Sequence, residues 1–269
     1  MADQERQDAE EELEGEKLPF TSHLEELRAR LIKAAIALVG GFAGCYAISD
    51  RLFAFIIRPI EGALPAGSHL TILRVQEGFL TYIKIAMLGG VFVASPVILY
   101  QAWKFVAPGL YPNEKRYVWP FVCAATAFFF AGASFAYWVA FPFGLPFLLS
   151  FAGEAVQASI SIEAYLSFAT QMLLAFGLVF ELPVVVFFLS KIGLISHRTL
   201  SHNRGYALIV ISVVAAVLTP PDAFSMMLMG VPLYALFELS ILVARAFGQP
   251  PAEKEEEEEE APEAEGEEE

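Results

Sequence analysis

Cysteine is nearly missing from this 269-residue sequence: only Cys45 and Cys123 occur, each inside an apolar stretch. That excludes a disulfide framework and leaves both as small hydrophobes. Histidine is almost as sparse, and His23, His69, His197 and His202 lack the spacing of a metal-ligand cluster. His23-Leu-Glu-Glu-Leu is not a zinc-binding HExxH, no Gly-x-Ser-Gly string occurs, and Asp222 has no second acid of the kind intramembrane proteases use. The sequence therefore predicts no catalytic residue, no metal, no cofactor and no enzyme. The N-terminus is acidic rather than basic-then-apolar, so no cleavable leader is expected, and the first apolar span serves as the targeting element.

Charge is scarce as well. Charged residues make up 18% of the chain and hydrophobic ones 56%, against about a quarter charged in a soluble domain. The net charge of -14 lies in the tails. Residues 1–16 carry eight acids and Arg6, and residues 251–269 carry twelve Glu and Lys254; the body between is mildly basic. Such a body suits a surface of anionic lipid, and no nucleic-acid partner is expected. Residues 1–19 and 248–269 are too poor in apolar side chains to offset the entropy of ordering, and are expected to be disordered tails around a membrane domain at 20–247.

What is present is long apolar runs. A hydrocarbon core of about 30 Å takes about 20 residues of helix. Stretches near 31–48, 79–100, 117–153, 165–190, 205–218 and 223–244 meet or approach that length. The expected fold is all-α, with six transmembrane helices. Pro142 and Pro146 are expected to end the third helix near Phe141. Thr219-Pro220-Pro221-Asp222 makes a tight turn between the fifth and sixth. The fifth is short, about 21 Å of helix, and must thin the bilayer, extend into its flanks or be covered by protein. Lys and Arg concentrate on one side: Lys17, Arg28, Arg30, Lys104, Lys115, Arg116, Lys191, Arg198, Arg204, Arg245 and Lys254, against Arg51, Arg58 and Arg74. Both termini are accordingly expected in the cytoplasm.

Four places hold candidate chemistry. Ser22 and Glu25 form a capping box that predicts a helix start just before the first span. On that helix Glu26 and Arg30 stand four residues apart, either as a self-satisfied surface pair or as a carboxylate ready for a partner's cation. In the basic loop 101–117, Glu114 is the only acid; it pairs with Lys115 or Arg116, or joins Glu26 in a two-carboxylate site suited to guanidinium groups. Glu181 lies inside the fourth span with Pro183 as the source of a kink. It either marks function or holds helices together as a hydrogen-bonded neutral acid. Glu238, near the cytoplasmic end of the last helix, has Arg245 and the headgroup region as its expected partners.

The strings that carry these residues resemble the TatC family, the core receptor of the twin-arginine protein translocase. They are His23-Leu-Glu-Glu26-Leu-Arg28, Pro96-Val-Ile-Leu-Tyr-Gln-Ala-Trp103, Ala107-Pro-Gly-Leu-Tyr111 with Glu114-Lys-Arg116, Ala136-Tyr137 through Phe141-Pro142, Ala175-Phe-Gly through Phe180-Glu181-Leu-Pro183, Leu218-Thr-Pro-Pro-Asp222-Ala-Phe-Ser225, and Pro232 through Glu238. They span residues 20–247 in order.

The resemblance implies a cup-shaped six-helix scaffold in the bacterial cytoplasmic membrane. It implies a receptor that binds twin-arginine signal peptides of folded cargo through Glu26 and Glu114, with Arg28, Phe105, Pro108, Leu110, Tyr111 and Arg116 around them. It implies an intramembrane polar site at Glu181 and a contact region for TatA- and TatB-type single-span subunits at Thr219, Pro220, Pro221, Asp222 and Ser225. Membrane lipids and further copies of the chain complete the implied partners. Many members carry Gln after that Ser; here Met226 stands in its place, which weakens the carry-over to Thr219. The alternative from the residues alone is a proton-coupled solute transporter with Glu181 as the proton carrier.

Overall fold

The structure is a computed structural model. It describes residues 2–65, 68–106, 118–151, 159–219 and 222–248, with side chains from Leu24 onward and, before the first long gap, through Phe105. The chain divides into two compact units, residues 1–49 with 85–123, and residues 50–84 with 124–269.

Helix α1 runs Ala2–Tyr46. The helix therefore starts well before the capping box at Ser22. Glu is the commonest residue of that preceding segment and is a strong helix former. In the first unit α1 meets helix α3, Glu77–Val106, at a contact made by two glycines. A Cβ at Gly41 would lie 2.8 Å from the Gly90 carbonyl oxygen, and one at Gly90 would lie 2.7 Å from the Phe42 nitrogen. The backbones touch because neither residue has a side chain, the usual device for close helix packing in lipid.

The second unit opens with α2, Ser49–Ala63, an amphipathic helix with Pro59 inside it and Ile56 and Ile60 buried. Proline supplies no N–H, so the carbonyl of Phe55, four residues back, loses its helical donor. The Tyr137 hydroxyl donates to that carbonyl at 2.7 Å, and the Tyr165 hydroxyl donates to the next one, Ile56, at 2.6 Å. Two three-residue strands, β1 (His69–Thr71) and β2 (Ser159–Ser161), pair in parallel with Leu70 opposite Ile160. They are the exception to an otherwise helical chain among the described residues.

Glu77 is 2% exposed and gathers this region. It accepts hydrogen bonds from the Leu73 and Arg74 N–H groups at 2.7 and 3.1 Å, from the Ser161 hydroxyl at 2.6 Å and from the Glu163 N–H at 2.8 Å. Alanine at Glu77 removes the shared acceptor. In hydrogen exchange of the chain in nanodiscs, the amides of Leu73, Arg74 and Glu163 are expected to exchange faster by about tenfold or more. Unchanged protection would show that the carboxylate does not hold these segments.

Helix α4 (Val118–Phe135) passes through a five-residue π-helical turn, Ala136–Ala140, into α5 (Phe141–Ser150). The expected stop at Phe141 is thus wrong: the helix continues nine residues further. The reason is local. The Phe141 N–H reaches back to the Ala136 carbonyl, and the wider turn makes room for the Pro142 ring where a regular turn would clash. Helix α6 (Ile162–Phe180) follows, capped by the Ser161 hydroxyl, and then α7 (Leu182–Lys191), α8 (His197–His202), α9 (Arg204–Leu218) and α10 (Ala223–Phe247). Gly132 of α4 lies so close to Phe176 and Phe180 of α6 that a Cβ there would overlap the Phe176 carbonyl.

By length and composition, five described helical stretches suffice to cross a membrane: Leu24–Tyr46, Glu77–Phe105, Val118–Ser150, Ile162–Lys191 and Ala223–Phe247. Helix α9 is apolar but has 15 residues, about 22 Å. The length deficit read from the sequence is real.

Candidate functional site

On α1, two charged residues meet just before the apolar stretch that begins near residue 31. An Arg30 guanidinium nitrogen bonds a carboxylate oxygen of Glu26 across one helical turn. The i,i+4 pair expected from spacing is therefore formed, but it is not a plain surface pair. The Arg30 side chain is 10% exposed while that of Glu26 is 37% exposed, and the Arg30 Nε is buried without a hydrogen-bond partner. Arg28 is exposed, as are Leu24 and Leu27. Phe105, near the end of α3 in the same unit, is half-buried. Glu114, Pro108, Leu110, Tyr111 and Arg116 lie outside the described residues.

Glu181 sits where α6 gives way to α7. Its N–H bonds the Leu178 carbonyl at 3.1 Å, and its own carbonyl receives the N–H groups of Val184 and Val185 at 3.0 and 2.9 Å. Pro183 has no N–H to continue the ladder, and the regular helix is interrupted at Glu181. The residue is 8% exposed, and its Oε1 is buried without a hydrogen-bond partner. The tightly packed Gly132–Phe176 crossing fixes the helix just before it.

Thr219 follows α9, and Asp222 and Ser225 open α10, while Pro220 and Pro221 lie outside the described residues. The Thr219 hydroxyl donates to the Ala215 carbonyl at 2.7 Å, and Asp222 caps α10 by accepting the Ser225 N–H at 2.7 Å. The other Asp222 oxygen is buried and unpaired. Gln171 of α6 donates to the Leu218 carbonyl at 3.2 Å and joins this turn to the middle of another helix. Sequence reasoning missed Gln171. A side-chain amide within the fourth span was the available signal.

Glu238 does not pair with Arg245. It receives Arg204 Nε and Nη2 at 2.8 and 2.9 Å, and the Tyr234 hydroxyl at 3.0 Å. Arg245 lies two turns further along the same helix, about 10 Å away by rise alone, while both Glu238 oxygens are already engaged by Arg204. Arg204 opens α9, which packs against α10, and so stands across from Glu238. Among the described residues, no group of three or more His, Cys, Asp or Glu side chains is placed to hold a metal ion.

Five described helices long and apolar enough to cross a bilayer define a multi-pass helical membrane protein. Comparison with known proteins makes the assignment specific. The family described as Sec-independent protein translocase protein (TatC) matches residues 22–232. The chain is 45% identical over 247 residues to the TatC protein of Desulforapulum autotrophicum, covering 92% of each. It is 39% identical over 233 residues to that of Helicobacter pylori strain J99, covering 87% of this chain and 91% of that one. It is also similar to a crystal structure of the twin-arginine translocase receptor TatC, with TM-score 0.75, 36% identity, and 83% of this chain and 98% of that chain covered.

The chain belongs to the TatC family. It is a component of the twin-arginine translocase, a transport subunit and not an enzyme. The proton-coupled transporter built on Glu181 does not fit that membership.

Proposed function

We propose that this chain captures twin-arginine signal peptides at a cytoplasmic site formed by Glu26 and Glu114, with Arg28, Phe105, Pro108, Leu110, Tyr111 and Arg116 around them. The supporting observation is Glu26 itself, a carboxylate more than a third exposed that already binds a guanidinium. An arginine of the peptide makes the same kind of charge-assisted bond, and a planar fork makes two in parallel.

In this reading the protein lies in the bacterial cytoplasmic membrane with both termini in the cytoplasm, and α9 is a short sixth crossing. Glu181 serves as a polar site for the membrane-embedded part of the assembly, because a buried carboxylate without a partner in apolar surroundings calls for one. The turn at Thr219, Pro220, Pro221, Asp222 and Ser225 receives TatA- and TatB-type single-span subunits. Its unpaired Asp222 oxygen and the short α9 beside it support that placement. Lipids and further copies of the chain complete the working complex, which exports folded cargo.

The test is site-specific. A photoreactive side chain at Phe105 is expected to capture an Arg-Arg signal peptide added to membranes, and one at Trp138, which is 69% exposed, is not. Capture at Trp138 with none at Phe105 would overturn the site.

A further inference from the structure

We propose that Arg30 is a resident competitor for the Glu26 carboxylate and thereby sets a preference for arginine over lysine in the peptide. The inference rests on the reading of Glu26 as a signal-binding residue. Its own support lies in how Arg30 is held. Of the described lysines and arginines, Arg30 is the one that is buried, at 9% exposure. A guanidinium kept from water for stability alone would have its donors satisfied. Here one nitrogen bonds Glu26 while Nε is buried with no partner. The contact is incomplete on the arginine side, and the Glu26 side chain is 37% exposed against 10% for Arg30.

The consequence concerns exchange. Glu26 meets an incoming peptide already neutralised, so plain attraction between opposite charges is much reduced. A lysine ammonium is a point donor and offers about what Arg30 already provides. A guanidinium that presents two parallel donors offers more, and gains against the resident contact. Arg30 thus raises the requirement for binding from any cation to a fork. It is a specificity-determining residue that acts through Glu26, with no direct contact to the peptide required.

The experiment uses the full chain in nanodiscs and two labelled signal peptides that differ only in Arg-Arg against Lys-Lys. Arg30→Met keeps an apolar stem and removes the guanidinium. It is expected to tighten Lys-Lys binding by about tenfold and Arg-Arg binding by less, so the preference narrows. Arg30→Lys, which keeps a weaker competitor, is expected to fall between and carries the test if Arg30→Met does not assemble.

An unchanged ratio in the variant that assembles overturns the proposal, and so does a common loss of both affinities, which marks a structural role. Glu26→Gln separates the two levels. If it binds both peptides as the unaltered chain does, the signal-binding reading itself fails. If it loses binding while the Arg30 variants leave the ratio unmoved, the competitor role alone fails.

Discussion

Glu26→Ala and, separately, Glu114→Ala are expected to abolish crosslinking of an Arg-Arg signal peptide to this protein in membranes. Removing one partner of a hydrogen-bonded charge pair at an interface typically costs about 2–5 kcal/mol of binding. That is roughly thirtyfold to several thousandfold in affinity. The structure sharpens the case for Glu26. Its pairing with Arg30 means that Glu26→Ala also leaves a guanidinium 10% exposed without its counter-ion, which adds a penalty within the protein. Comparing Glu26→Ala with Glu26→Gln separates loss of charge from loss of the side chain. Both variants are expected to lose the peptide, and crosslinking at the level of the unaltered chain in either would contradict the role.

Gly41→Val is expected to have the largest effect on assembly of the chain. The new side chain would meet the Gly90 carbonyl at 2.8 Å or closer, and the obstacle is backbone that cannot rotate aside. Overpacking of a tight contact costs about 1–3 kcal/mol even when flexible side chains absorb it. With main chain on the far side, α1 and α3 must separate. Because Glu26 is carried by α1 and Phe105 by α3, Gly41→Val is expected to lower both the detergent melting temperature and peptide capture. Gly44→Val on the same helix is the control, since nothing lies within 4 Å of a Cβ there, and it is expected to behave as the parent. Equal behaviour of the two variants would refute the close crossing.

Much of this architecture was legible in the sequence because lipid imposes a simple rule. Apolar runs long enough to span the bilayer must be helical, so the five long stretches and the short α9 could be read directly. Pro183 next to Glu181 announced the interruption between α6 and α7 for an equally local reason. The failures are tertiary. Pro142 marks a helix stop only if the helix stays regular, and the π-helical turn at Ala136–Ala140 removes that condition. Helix α2 contains Arg51, Arg58 and Pro59, which read as loop; tyrosine hydroxyls from two other helices complete its backbone bonding. Glu77 looks like any acid at a helix start, and its four donors come from two segments far apart in sequence, 73–74 and 161–163.

The candidate site divides along the same line. Spacing showed that Glu26 and Arg30 could meet, because residues four apart share a helix face. Spacing was silent on which of the two is buried. That asymmetry decides whether the carboxylate faces water, and it comes from what packs around Arg30. In the same way, the pairing of Glu238 with Arg204 rather than Arg245 follows from the packing of α9 against α10, which no local pattern encodes.

The most direct measurement is equilibrium binding of an Arg-Arg signal peptide to the full chain in nanodiscs, set against the same peptide with Lys-Lys. A guanidinium-selective carboxylate site predicts saturable binding of the Arg-Arg peptide and a loss of about tenfold or more for Lys-Lys, since an ammonium cannot reproduce the two parallel bonds. Equal affinity for the two peptides would show that charge alone is read, and would contradict recognition through Glu26.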